Sequence, residues 1–129
     1  MGIAVPPFQW CAWALNDQTN PFAAAVNVYR QWMPGAIIMA ARASVVVGSA
    51  AGNLQFDCNS GGLSILSTPV TILAGQTSSR ATGTVQPVIL PASVNQIDNW
   101  LMGWDIDSAG DGAAIGAVMM LLIRWTAAG

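Results

Sequence analysis

Apolar and polar residues alternate with a period of two along most of this chain, the spacing of strands whose side chains point to opposite faces. The clearest case is LQFDC, Leu54 to Cys58, which places Leu54, Phe56 and Cys58 on one side and Gln55 and Asp57 on the other. Phe8 to Leu15 (FQWCAWAL) sets Phe8, Trp10, Ala12 and Ala14 against Gln9, Cys11 and Trp13, so aromatics on both faces need cover. Ala24 to Trp32 opposes Val26, Val28 and Arg30 to Asn27, Tyr29 and Gln31. Ala36 to Val47 predicts a long strand with Ile37, Met39, Ala41, Ala43, Val45 and Val47 on one face. Trp100, Met102, Trp104 and Ile106 alternate with Leu101, Gly103, Asp105 and Asp107. In the last run, Ile115 to Trp125, Val118, Met120 and Leu122 are as apolar as Met119, Leu121 and Ile123 opposite them, which marks a strand covered on both sides.

Turn formers separate these runs at Asn16 to Pro21 (NDQTNP), Met33-Pro34-Gly35, Gly48 to Asn53 and Asn59-Ser60-Gly61-Gly62, the last a hairpin signal. Leu63 to Leu66 and Pro69 to Leu73 make short strands, while Gln76 to Pro87 is Ser/Thr-rich and exposed. Pro91 confines Val88 to Trp100 to a sheet edge or a connection. About eight short strands separated by turns predict an all-β fold, an antiparallel β-sandwich of jelly-roll type. A chain of 129 residues is one domain long. Residues 1–28 read as an N-terminal arm or a set of extra strands, possible contact points for a partner, and residues 29–129 as the sandwich.

Composition changes the picture of the surface. The chain has four Arg and six Asp but no Lys, Glu or His, so charged residues make up only 8% of it, against roughly 25% in soluble domains. Such a surface is expected to be hidden against partners. A membrane span is excluded by pattern: Ala113 to Ile123 is short of the roughly 20 apolar residues required, and Ala36 to Val47 carries Arg42. The N-terminus lacks the basic start of a signal peptide, which leads us to expect assembly in a cytosol. Four scattered arginines make no basic stripe, so no nucleic-acid partner is expected. Cys11 and Cys58 are read as small buried residues in preference to a disulfide.

Candidate chemistry is sparse. WDIDSAGDGAAIG begins like a calcium loop, with Asp105, Asp107 and Gly110 at its first, third and sixth positions. Ala109 and Gly116 then stand where an oxygen ligand and a bidentate Glu are required, so the stretch reads as a hairpin leading to the last strand, with no metal. Asp105 and Asp107 have a spacing that a glycosidase pair tolerates, yet neither has a nearby sequence feature to raise its pKa. Without His or Lys, a Ser or Cys nucleophile lacks its usual base, and no enzyme or cofactor is expected. The six tryptophans, Trp10, Trp13, Trp32, Trp100, Trp104 and Trp125, admit a sugar-binding platform but read better as core and subunit contacts.

From Ala36 to Trp125 a set of pieces follows in order: Arg42-Ala43-Ser44-Val45, a small-residue loop from Gly48 to Gly52, FDCNSGGLSIL from Phe56 to Leu66, Ile72 to Ser79, and Asp105 to Gly112. Their order resembles a small β-sandwich module of tailed-bacteriophage virion proteins. Ser60 and Gly61 depart from the Lys or Asn common in that first hairpin, and the N-terminal third matches no part of the module. The resemblance implies a virion structural protein, above all a capsid decoration (cement) protein, trimeric, contacting the major capsid protein on the capsid surface. A tail, baseplate or fibre position, or a carbohydrate-binding sandwich, is the alternative. Partner contacts are expected at Phe8, Trp10, Trp13, Phe22, Tyr29 and Trp32.

Overall fold

The computed structural model describes residues 8–15, 18–32, 36–60, 63–89, 96–97 and 101–125. Six strands carry the fold: β1 (Phe8–Ala14), β2 (Ala25–Trp32), β3 (Ala36–Ser44), β4 (Leu54–Ser60), β10 (Leu101–Ala109) and β11 (Val118–Trp125). Between them lie the short β5 (Leu63–Ser64), β6 (Leu66–Thr68), β7 (Val70–Ile72), β8 (Val88–Ile89) and β9 (Gln96–Ile97). The described residues contain no helix.

Of the two main sheets, one has the order β1-β11-β3-β9 and the other β2-β10-β4-β5 with β7 also on β4, while β6 and β8 pair separately. All pairs are antiparallel. The first, third and last long strands therefore share one sheet, and the second, fourth and penultimate the other. This alternation is the jelly-roll arrangement anticipated from the strand pattern. The expected boundary after residue 28 falls inside β2. Residues 8–14 pair with β11 along their whole length, and the Leu15 and Phe22 amides donate to the carbonyls of Ala117 (2.9 Å) and Ala114 (3.2 Å).

The core fills the space between the sheets. Ile38, Leu54, Phe56, Cys58, Met102, Trp104, Met119, Leu121 and Ile123 have 0% exposure, and they come from both sheets. The alternations of β4, β10 and β11 place their inward residues as expected. On β3 the expected face breaks, because Leu122 pairs with Ala40 while Ile123 pairs with Ile38. Met39 is thus the extra residue of a β-bulge, which turns Ile38 into the core and leaves Met39 43% exposed. Val47, expected on the inner face, is also exposed.

The stretch expected to close a hairpin after Asp107 instead crosses between sheets. Both edges of β10 are already bonded, to β2 and to β4, so β11 cannot pair with it and joins β1 and β3. Gly110 makes the crossing with φ +60°, a conformation that disfavours any side chain. The loops from Gly48 to Asn53 and Gly110 to Ala113 are clasped together there. Asp111 accepts from the amides of Ala50 and Ala113 (both 3.0 Å), and its own amide donates to Ser49 Oγ (3.0 Å). These bonds, that of Ala113 first, hold the Asp111 carboxyl below its ordinary pKa.

Candidate functional site

Each sheet turns one face away from the core, and chemistry concentrates on these two surfaces. On the β1-β11-β3 sheet the register lines up Trp10, Leu122 and Ala40 in one row. The next rows are Ala12, Met120 and Arg42, then Ala14, Val118 and Ser44. Trp10, Ala12 and Ala14 are exposed, whereas Val118, Met120 and Leu122 on the central strand are half-buried. Arg42 Cζ lies 4.5 Å from the centre of the Trp10 ring, a cation–π contact. Since Arg42 belongs to the Met120 row and Trp10 to the Leu122 row, this contact bridges diagonally across β11. Arg124 extends the same outward face and is exposed. Among its described residues this face has no carboxylate.

The β2-β10-β4 sheet presents the opposite chemistry. Asp105 on β10 stands directly opposite Asp57 on β4. A bulge between Ile106 and Ser108 leaves Asp107 unpaired beside them. Asn59 Nδ2 donates to Asp105 Oδ2 (3.1 Å), and Ser64 Oγ donates to Asp57 Oδ1 (2.6 Å). Burial pushes the Asp57 carboxyl above its ordinary pKa, against the Ser64 bond and with help from the negative charge of Asp105. Burial also raises Asp107, reinforced by Asp57 and Asp105. Arg30, opposite Gly103, is the cation of this face. Among the described residues no three His, Cys, Asp or Glu side chains are grouped to hold a metal ion.

The six expected contact residues do not form one surface. Trp10 is outward and 43% exposed. Trp13 and Tyr29 are half-buried, meet at 5.9 Å between ring centres and pack against the core from its rim. Phe22 is 7% exposed and lies 6.1 Å from the Phe56 ring, so it serves the core and presents no contact surface. The Phe8 and Trp32 backbones pair with Arg124 and Leu101, and their side chains lie outside the described set. Trp104 is fully buried and Trp13 half-buried, which leaves Trp10 as the open indole among the described residues and removes a flat tryptophan platform there.

Sequence reasoning missed two groupings. Arg42, Met120 and Leu122 join Trp10 only through strand register, although the apolar second face of β11 was a visible signal. The Asp57–Asp105 juxtaposition had no signal, since nothing local says which strands are neighbours. The two free thiols are far from alike: Cys11 is half-buried and Cys58 buried. Comparison with protein-family models, with curated proteins and with solved structures finds no match.

Proposed function

We propose that this chain is a structural subunit of a bacteriophage virion, acting as a capsid decoration protein that bridges neighbouring capsid subunits. The observation that carries the reading is the outward face of β1-β11-β3, which is apolar along β1 and β11 and carries Arg42 on β3, in a chain with 8% charged residues. A surface of that kind gains stability by being covered. The jelly roll adds support at the level of fold alone, because capsid and lectin domains both use it. A rigid sandwich laid across a seam adds buried area to both flanking subunits and so raises the work of separating them. A trimer set on a lattice point is the assembly we favour.

Quantitative mass spectrometry of purified particles tests this reading. Copies in proportion to the capsid protein support decoration. A few copies per particle move the chain to the tail, baseplate or fibre base. Absence from particles, with glycan binding by a monomer, overturns the virion role.

A further inference from the structure

The two outward faces differ in charge as well as in polarity. The β1-β11-β3 face holds Arg42 and Arg124 and, among described residues, no acid, while the β2-β10-β4 face holds Asp57, Asp105 and Asp107. A third arginine borders the first face. Arg80 and Arg42 are both walls of a cavity of about 110 Å³ beside β3, with Met39 and Gln86. Gln86 Oε1 accepts from Arg80 Nη1 (2.8 Å), which fixes that guanidinium at the rim.

We propose that the β1-β11-β3 face docks a different polypeptide, whose contact patch is apolar and bears carboxylates that pair with Arg42, Arg80 and Arg124. The inference rests on the structural-subunit reading and specifies its partner. Self-pairing through this face by a two-fold axis sets each arginine of one copy into an interface to which the described residues of the other bring no acid. Like charges brought together in that way oppose association. Head-to-tail stacking supplies acids, but it drives Asp57 and Asp105, already bonded to Ser64 and Asn59, onto Trp10, Met120 and Leu122. Stripping water from carboxylates against apolar side chains outweighs the Coulomb gain unless every lone pair is met. An apolar patch bearing carboxylates matches both halves of the face: methyl and ring surface for Trp10, Met120 and Leu122, and ion pairs for Arg42 where it crosses β11 and for Arg80 and Arg124 at the rim.

Two synthetic helical peptides with the same Leu/Met stripe, flanked in one by Glu and in the other by Lys, test the proposal. They are titrated into the full chain while the Trp10 indole and Met120 and Leu122 methyl NMR signals are followed. We expect the acidic peptide to shift these signals and to bind about tenfold more tightly than the basic one. The preference should fade with added salt and in an Arg42→Gln/Arg124→Gln variant, and persist in Asp105→Asn. Binding without charge preference, or no binding by either peptide, overturns the proposal. So does broadening of the same signals with protein concentration alone, which makes a second copy the occupant. The virion reading fails separately: a chain that prefers the acidic peptide but is missing from particles defeats that reading and leaves the face chemistry standing.

Discussion

The β1-β11-β3 sheet shows Trp10, Met120, Leu122 and Arg42 to the outside, and the β2-β10-β4 sheet shows Asp57, Asp105 and Asp107. Both sheets contribute fully buried side chains to the same core, so their inward faces are equivalent. A sheet wetted on one side should alternate apolar and polar residues, and β4 does so. Strand β11 does not, and that failure of alternation marks the surface to which we assign a partner. The lesson is one of address: in a sandwich, function is best sought where a strand ignores the solvent it faces.

The largest effects should come from the inward faces and should not depend on the sheet. Phe56→Ala on β4 and Leu121→Ala on β11 each remove a side chain with no exposure, at an expected loss of about 3–5 and 2–5 kcal/mol. Urea unfolding measures both. A loss under about 1 kcal/mol from either one would mean that its sheet stands apart from the common core. Next comes the crossing between the sheets. Gly110→Ala places a Cβ into the Ser49 side chain at a positive φ, and a loss of about 1–3 kcal/mol in thermal denaturation is expected.

The outward faces themselves should respond weakly and with opposite sign. Trp10→Ala removes a ring that is 43% exposed and its contact with Arg42, costing the isolated fold about 0.5–1 kcal/mol. Its larger effect should be on assembly, read as loss of the chain from reconstituted particles. Asp57→Asn and Asp107→Asn should raise the neutral-pH denaturation midpoint slightly, by less than about 1 kcal/mol after solvent screening. The sign follows from their raised pKa values. The fold favours the protonated carboxyls, so this contribution is fully present below the ordinary Asp value of about 4 and is lost as pH rises through the elevated values. Wild-type stability should therefore climb on mild acidification, and the double variant should flatten that climb. Asp111 has the reverse sign: its lowered pKa means that its support is present above the ordinary value and lost as pH falls through the depressed one.

How far these surfaces were legible in the sequence depends on whether local order or pairing decides them. The inward set of β4 and the β10 pattern of Met102, Trp104 and Ile106 follow from alternation, because each strand needs only its own residues to define two sides. Met39 could not be placed that way, since a bulge is a mismatch between two strands and β11 lies far along the chain. The crossing at Gly110 reads as a hairpin in the sequence for a related reason. Glycines announce a turn, but only the occupied edges of β10 decide which sheet receives the next strand. Phe22 has no alternating context to mark it as core, and its burial depends on Phe56, brought near by folding. Two halves of the candidate surface were visible in advance, Trp10 and the apolar reverse of β11, while the register that joins them to Arg42 was not.

The placement of the two thiols turns the molecule into its own timer. Cys11 sits half-buried on an edge strand, whereas Cys58 is sealed under the sandwich, where burial holds its thiol well up and unreactive. An alkylating reagent in native buffer should mark Cys11 whenever the first strand frays, and Cys58 only when the whole sandwich opens. The ratio of singly to doubly labelled protein thus separates a local event from a global one in a single time course, without any engineered probe.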